Sequence, residues 1–304
     1  MFIVRYVTAG STPRVGVAEE LGGPVTDVVG VTSLADLLGH DADDIRALVE
    51  ASSGGAPVDG EVRLLPPIDG RTEVWASGVT YLRSRDARVE ESTEKSVYEK
   101  VYDAERPELF FKSVAWRVLT DGEPIGIRAD SGLDVPEPEL AVVANNAGVI
   151  VGYLVCDDVS SRSIEGENPL YLPQAKVYAG SCAISAGIRP AWEVEHAEDL
   201  AVTLTVTRAG SVAFSGETAT SQMRRELADL VDWLYRGDAY PAGVVLSTGT
   251  GIIPELDFTL TDGDEVAISV AEVGTLTNPI VVGTEPFGWL LDDTANTITR
   301  GTHA

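Results

Sequence analysis

A chain of 304 residues with 44% hydrophobic residues is long enough to bury a sizeable core, and its two cysteines, Cys156 and Cys182, exclude a disulfide framework. Its 48 acidic and 22 basic residues give a net charge of −26, which argues against nucleic-acid binding and against docking on anionic membranes. We interpret this charge as the solvated coat of a halophilic protein, because concentrated salt screens the repulsion. The alternative is an acidic ligand-binding surface.

The apolar runs are too short to cross a bilayer, and the N-terminus lacks the basic and then apolar pattern of a signal peptide. We therefore expect a cytoplasmic protein without membrane contact.

Residues 1–70 are predicted to form a small α/β domain. Its apolar runs and capping residues predict two strands, two short helices and a third strand, at residues 2–7, 24–31, 34–39, 45–51 and from Val62. Ser33 is the candidate N-cap of the first helix, and Asp41 or Asp43 that of the second. A Pro-rich joint then marks the boundary near residue 70.

A polar stretch from residue 82 to 104, rich in Arg and Glu, predicts a helix. Arg83, Arg85 and Arg88 are candidates for binding a carboxylate substrate. The alternative, favoured for any single arginine, is pairing with neighbouring acidic residues on a solvated face.

The next apolar segment, which contains Phe110 and Phe111, is predicted to enter the core. Glu108 and Lys112 are four residues apart and share a face if the segment is a strand. They can then form an ion pair or flank a pocket.

The segment 136–163 predicts a β-hairpin, because two β-branched apolar runs flank an Asn/Gly turn at residues 145–148. With the turn centred between Asn146 and Ala147, the pairing places Cys156 opposite Glu137.

Glu137 and Glu139 are two residues apart, so both carboxylates leave the same face of a strand. Asp157 and Asp158 follow at the same end of the hairpin. Carboxylates this close repel, and a hard divalent cation relieves the repulsion. From spacing alone, an exposed acidic edge is an equal alternative.

The C-terminal half alternates strongly and predicts further strands. A hairpin at residues 199–215, a helix at 221–235 capped by Ser221, a strand ending in the turn 248–251, and two strands within 264–282 are expected. Thr248 and Thr250 can hold an anionic group or act only as turn residues. The main domain then spans residues 71–282, with a tail at 283–304.

Six motifs in one order resemble the fumarylacetoacetate hydrolase superfamily over residues 71–282: Gly78-Val-Thr-Tyr81, Phe110-Phe-Lys112, Glu137-Pro-Glu139, Gly152-Tyr-Leu-Val-Cys-Asp-Asp158-Val-Ser-Ser-Arg162, Lys176, and Thr248-Gly-Thr-Gly251. The resemblance implies an α+β fold whose catalytic domain is a mostly-β mixed β-roll. It also implies Mg²⁺, or else Ca²⁺ or Mn²⁺, held by Glu137, Glu139 and Asp158. Asp157 stands where the family pattern has Asn, and Ser163 where it has Asp.

One departure bears on the activity that the resemblance implies. The hydrolases of the superfamily place a water-activating His where this chain has Ser84. The segments 98–112 and 174–178 are similar to the sugar-acid branch, which includes dehydratases of 2-keto-3-deoxy-D-arabinonate. That branch implies a Mg²⁺-dependent hydro-lyase forming 2,5-dioxopentanoate from a 2-keto-3-deoxypentonate, a small 2-oxo sugar acid.

Within that reading, Lys176 removes a C3 proton or stabilises the charge that follows, and Glu108 protonates the departing hydroxyl. As a base, Lys176 must be neutral, so its pKa must be lowered by burial or by a cation. The remaining candidates are residues for substrate oxygens: Tyr81, Arg83, Arg85, Lys112, Thr248 and Thr250.

Three alternatives stay open. Lys176 can be a surface lysine, and the chain can be a C–C bond hydrolase or decarboxylase of a 2,4-diketo acid. It can also be a non-catalytic binding paralogue stabilised by metal. The resemblance further implies a homo-oligomer.

Overall fold

The computed structural model of the protein describes residues 1–91 and 95–291. The strands are β1 (Phe2–Thr8), β2 (Arg14–Ala18), β3 (Val25–Asp27), β4 (Val62–Leu65), β5 (Glu73–Gly78), β6 (Glu108–Val114), β7 (Ile125–Ile127), β8 (Asp134–Val135), β9 (Pro138–Ala144), β10 (Ile150–Asp158), β11 (Ser160–Ser161), β12 (Cys182–Ile184), β13 (Gly187–Pro190), β14 (Ala201–Arg208), β15 (Ser211–Ala219), β16 (Val244–Ser247), β17 (Glu265–Val270) and β18 (Gly274–Val282). The helices are α1 (Leu34–Leu37), α2 (Ala42–Ser52), α3 (Leu82–Glu91), α4 (Lys95–Asp103), α5 (Arg162–Glu167), α6 (Leu172–Lys176) and α7 (Leu227–Tyr235).

Two open sheets carry the fold. The larger has the order β3-β2-β1-β13-β10-β9-β16-β5-β6, with β4 added to β1 and β12 added to β10. The second has the order β15-β14-β17-β18-β7, and β8 and β11 form a small separate pair. Most pairs are antiparallel, while β16–β5 and β18–β7 are parallel. The predicted α+β, mostly-β class is confirmed.

The central strand β9 is buried along its whole length and separates two cores. Its side chains alternate between them, because successive residues of a strand point to opposite faces. Leu140 and Val142 join the core beneath the second sheet, whereas Ala141 and Val143 join the core shared with α1 and α2. A strand buried on both faces holds its end residues rigidly, and that end carries the acidic motif.

The first 70 residues continue the larger sheet. Strand β1 pairs antiparallel with β13, with Ile3 opposite Ile188. Strands from both sides of residue 70 belong to this one sheet, so the domain boundary expected there stays a prediction. At the other end, Phe287 and Leu290 of the predicted tail are buried in the main core.

Some predicted elements of the N-terminal part are confirmed and others are wrong. Ser33 caps α1 by accepting a hydrogen bond from the Asp36 N–H at 3.0 Å. Asp41 is the N-cap residue of α2, without a capping hydrogen bond from its side chain. The strand expected at 24–31 is only β3, and β2 was not anticipated.

The two long helices predicted from sequence have different outcomes. In the stretch 82–104, residues 82–91 form α3 and residues 95–103 form α4, in agreement with the prediction, and residues 92–94 lie outside the described residues. The stretch 221–235 is α-helical only as α7, whose N-cap is Glu226 and not Ser221. The reason is a competing contact, because the Arg224 N–H donates to the Thr80 carbonyl at 2.9 Å.

Two further observations concern exposure. Phe110 and Phe111 are half-buried and not in the core, contrary to the expectation. Among the described residues, every helix is too short or too polar to span a membrane.

Candidate active site

The acidic motif lies at the open end of the β9–β10 hairpin. Glu139 pairs with Cys156, and Pro138 with Asp157, so the predicted partner Glu137 for Cys156 is wrong by two residues. The loop is longer than predicted, because the Asn145 side chain accepts from the Val149 N–H at 2.9 Å, and a β-bulge follows near Gly152. A shift of two residues leaves every side chain on its predicted face.

Glu137, Glu139 and Asp158 converge at this end of the hairpin. All three are buried, and one carboxylate oxygen from each lies within 4.8 Å of the others. Glu139 is fixed by hydrogen bonds to its Oε2 from the Ser247 hydroxyl at 2.6 Å and the Gly249 N–H at 2.7 Å. Burial raises the pKa of Glu139 well above its usual value, and the Asp158 and Glu137 carboxylates raise it further. A hard cation fits this set, since it relieves the repulsion that opposes ionisation of Glu139.

Asp157 belongs to the other face of the hairpin. It is fully buried and its Oδ1 accepts from the Glu137 N–H at 2.9 Å. Burial raises the pKa of Asp157 to about 7, with a smaller contribution from Asp158. Asp157 therefore braces the backbone of Glu137, and Asp158 is the carboxylate that faces Glu139.

Lys176 reaches the converged carboxylates from the C-terminal end of α6. Its Nζ donates to Glu137 Oε2 at 2.7 Å, to Asp158 Oδ2 at 2.9 Å and to Ser160 Oγ at 2.5 Å. Lys176 is 2% exposed, which excludes the surface alternative. Burial favours a lower pKa for Lys176, but the Asp158 and Glu137 carboxylates outweigh it and raise the pKa above its usual value. The ammonium is therefore charged as long as these carboxylates are not neutralised by another cation.

Glu137 is surrounded by cations. Besides Lys176, Arg88 Nη2 lies 2.9 Å and Arg162 Nη2 3.0 Å from its Oε1. Although burial alone raises the pKa of a carboxyl, these three cations together hold the pKa of Glu137 well below its usual range. Glu137 is thus ionised at neutral pH.

Lys112, expected at the substrate, lies behind the site. Its Nζ is 2.5 Å from Asp158 Oδ1 and donates to the Lys176 carbonyl at 2.5 Å, and the residue is 1% exposed. A β-bulge beside Trp75 breaks the alternation that placed Glu108 and Lys112 on one face. Lys112 supports Asp158 and the backbone of Lys176, outside the cavity lining.

A small cavity of about 20 Å³ adjoins the converged carboxylates, which is roughly the space that one water molecule needs. Its lining includes Glu108, Phe110, Arg88, Glu165, Lys176, Ser84, Thr250 and Leu172 together with the three carboxylates. Glu108 lies directly over Gly78, where an added Cβ would come 2.2 Å from its Oε2. Burial raises the pKa of Glu108 to about 7, and the Glu165 carboxylate contributes to the rise.

Arg88 and Glu165 form a buried ion pair on the cavity wall. Arg88 Nη1 lies 2.7 Å from Glu165 Oε2, with side chains 10% and 4% exposed. Sequence reasoning grouped Arg88 with two other arginines and missed Glu165. An acidic residue in the first turn of a helix such as α5 ordinarily complements the helix dipole, so no sequence signal marked it.

Most of the other proposed substrate-binding residues lie elsewhere. Arg83 pairs with Glu255 at the surface, at 3.0 Å, and Arg85 pairs with Asp86 and lies over the Tyr102 ring. Arg88 lies four residues after Ser84 on the same face of α3, and both line the cavity, whereas Arg83 and Arg85 are outside its lining.

Of the residues with hydroxyl groups, some line the cavity and others do not. Thr250 lines the cavity, but Thr248, which follows the end of β16, is outside the lining, and its Oγ1 donates to the Leu140 carbonyl at 2.7 Å. Tyr81 is 2% exposed and packs against Gly251. Ser84 lines the cavity and donates to the Tyr81 carbonyl at 2.7 Å. Within the described residues, no histidine is part of the lining.

Comparisons with known proteins identify the family of the chain. Residues 73–281 match the family model described as Fumarylacetoacetate (FAA) hydrolase C-terminal. A "2-dehydro-3-deoxy-D-arabinonate dehydratase" of Saccharolobus solfataricus is 45% identical over 72% of this chain and 75% of the relative. A "Probable 2-keto-3-deoxyxylonate dehydratase" of Haloferax volcanii is 44% identical over 82% of this chain and 82% of the relative.

The fold is also that of a solved relative. A structure of "2-keto-3-deoxy-D-arabinonate dehydratase complexed with magnesium and 2,5-dioxopentanoate" superposes with a TM-score of 0.79. It is 36% identical in sequence, and the match covers 93% of this chain and 99% of the relative.

Proposed function

Because the chain belongs to the fumarylacetoacetate hydrolase family, we propose that it is a Mg²⁺-dependent hydro-lyase that dehydrates a 2-keto-3-deoxypentonate to 2,5-dioxopentanoate. One observation carries the proposal: a buried lysine, Lys176, contacts two of three converged carboxylates in a cavity that also holds Glu108. The dehydratase names of the relatives, at 45% and 44% identity, support the substrate class.

Glu137, Glu139 and Asp158 would hold the metal, and oxygen ligands of this kind suit Mg²⁺, with Ca²⁺ or Mn²⁺ as alternatives. When bound, the cation supplies polarisation of the C2 carbonyl and offsets the carboxylate charge that raises the pKa of Lys176. The magnesium and 2,5-dioxopentanoate in the solved relative support this assignment.

Two side chains of the cavity move the protons. Lys176, neutral once that charge is offset, removes a proton from C3. Burial raises the pKa of Glu108 to about 7, so Glu108 keeps a protonated fraction near neutral pH. It donates its proton to the C4 hydroxyl, which leaves as water. The new C3–C4 double bond moves to C4–C5 as C5 loses a proton and C3 regains one, and the resulting enol tautomerises to the C5 aldehyde.

Product analysis tests this function. Purified protein with Mg²⁺ and high salt is incubated with 2-keto-3-deoxypentonate, and we expect 2,5-dioxopentanoate by mass spectrometry. Cleavage or decarboxylation of a 2,4-diketo acid without this product would replace the dehydratase by the hydrolase or decarboxylase. Magnesium binding without turnover of either substrate would identify a binding paralogue.

The metal assignment has a separate test. Glu139→Gln is expected to weaken Mg²⁺ binding, measured by calorimetry, at least roughly 100-fold, since losing a group that only supports a metal ligand already costs 10- to 100-fold. Glu217→Gln, the same change at an exposed residue of β15, is the control. Full Mg²⁺ affinity in Glu139→Gln would rule out this site.

A further inference from the structure

The cavity carries charged groups that metal binding does not use. Beyond the three converged carboxylates, its lining holds two cations, Arg88 and Lys176, and two more carboxylates, Glu108 and Glu165. Lys176 is engaged by Glu137 and Asp158. The charge of Arg88 therefore decides whether the wall can accept a second anion.

Arg88 is already shared between two carboxylates. Its Nη2 lies 2.9 Å from Glu137 Oε1 and its Nη1 lies 2.7 Å from Glu165 Oε2. Glu165 thus pairs with Nη1 of Arg88, the guanidinium nitrogen next to the one that Glu137 contacts. A guanidinium edge is the group that ordinarily binds a substrate carboxylate. In this cavity a protein carboxylate stands in that place.

Helix α5 is built so that Glu165 reaches the cavity. The Ser161 hydroxyl caps the helix by accepting from the Ile164 N–H at 3.4 Å. Ser163 turns away and accepts from the Gly132 N–H at 3.1 Å, and Glu167 is exposed. Of the acidic residues of α5, Glu165 is the one in the cavity lining.

We propose that Glu165 is a specificity-determining residue: by occupying Arg88 beside Glu108, it makes the site reject 2-oxo acids that carry a second carboxylate at their far end. The ligand class is a 2-oxo monocarboxylate with an uncharged, hydroxylated far end. A second carboxylate meets the Glu165 carboxylate, which already occupies Arg88, and like charges in a buried site repel strongly because solvent screens them little. The inference rests on the proposed function only for placing the first carboxylate and the carbonyl at the metal site.

Two unreactive ligands of equal length test the proposal. 2-Oxopentanoate and 2-oxoglutarate both have five carbons and differ in the far carboxylate. Their dissociation constants for the Mg²⁺-loaded protein are measured by calorimetry at one high salt concentration. We expect the wild type to prefer 2-oxopentanoate by at least about ten-fold. Equal or tighter binding of 2-oxoglutarate would overturn the proposal.

Variants separate the local charge from the net charge of the chain. Glu165→Gln is expected to reduce the preference for 2-oxopentanoate over 2-oxoglutarate at least about ten-fold, because Arg88 can then pair with the far carboxylate of 2-oxoglutarate. Glu165→Asp keeps the charge and should keep the preference. Glu167→Gln makes the same change in net charge on the same helix, outside the cavity, and should also keep it.

A double variant tests the role given to Arg88. Adding Arg88→Gln to Glu165→Gln should remove the gained 2-oxoglutarate binding, while a preference unchanged in Glu165→Gln would refute the mechanism. Thermal unfolding verifies that each variant is folded. The dehydratase assay is independent, so absence of 2,5-dioxopentanoate with an intact ligand preference would count against the proposed function alone.

Discussion

Ion pairs of equal length occur in the buried carboxylate cluster and on the protein surface, but they contribute differently to stability. Arg46 and Glu50 on α2 approach to 2.7 Å with side chains 54% and 48% exposed. Lys176 and Glu137 also approach to 2.7 Å, but with side chains 2% and 4% exposed. The exposed pair is screened by water and salt, whereas breaking the buried pair leaves a charge in a medium that cannot solvate it. The difference shows that burial, and not distance, decides what each pair contributes.

The contrast extends to residue choice. The chain has 48 acidic residues and a net charge of −26, so its surface is overwhelmingly negative. Yet Lys112 and Lys176, among its few lysines, are 1% and 2% exposed. Both of these lysines pair with Asp158, so the chain keeps cations in its interior where buried carboxylates require them.

The largest expected effect is at the centre of the cluster. Lys176→Met removes the proposed base and leaves Glu137 and Asp158 without their shared cation. We expect kcat to fall by roughly 10²–10⁴ and the metal-free protein to lose about 3–5 kcal/mol of unfolding free energy. Steady-state assays and denaturant titrations measure the two effects.

Lys100→Met on the exposed face of α4 is the matched control and should behave as the wild type. Mg²⁺ should stabilise Lys176→Met more than the wild type, because the metal replaces the missing positive charge. A Lys176→Met protein with full activity would contradict the role of Lys176 as base.

The second expected effect is on pH dependence. The pKa of Glu108 is raised to about 7 by burial and by Glu165. A general acid works in its protonated form, so kcat/KM should decrease as pH rises above about 7. Glu108→Gln should lower kcat by roughly 10²–10⁴ and flatten this limb of the profile. An unchanged limb in Glu108→Gln would assign the ionisation to another group.

The sequence predicted the part of this cluster that is local along the chain. Glu137, Glu139 and Asp158 lie at one end of a single hairpin, and an error of two residues in its register left their face unchanged. The Glu139→Gln measurement tests the metal assignment of this set.

The part contributed by distant elements could not be predicted in the same way. Arg88 and Glu165 meet only because α3 packs on α5. The inward turn of Lys112 depends on a bulge in the β5–β6 ladder. Likewise, the start of the predicted helix at 221 was lost to a hydrogen bond with Thr80, more than a hundred residues away along the chain. Such contacts leave no periodic signal in the sequence.

A smaller effect is expected from moving Glu108, the proposed general acid, without removing it. Gly78 faces Glu108 across the β5–β6 ladder, and a Cβ there would come 2.2 Å from Glu108 Oε2. Gly78→Ala must therefore displace the carboxyl, and a misplacement of about 1 Å can reduce kcat by up to roughly 10². Gly132→Ala, where an added Cβ meets nothing within 4 Å, is the control. Equal kcat values in the two variants would show that the position of Glu108 over Gly78 is not required.

The smallest effect is expected at the surface pair with which the buried one was compared. Glu50→Gln breaks the Arg46–Glu50 ion pair, whose side chains are about half exposed. The unfolding free energy of Glu50→Gln should differ from that of the wild type by no more than about 0.5 kcal/mol in low salt and by less in high salt. The wild type itself should gain stability with salt, because screening relieves the repulsion of a net charge of −26. Chemical denaturation at several salt concentrations measures both trends. A loss in Glu50→Gln as large as that in Lys176→Met would mean that burial does not separate the two regions.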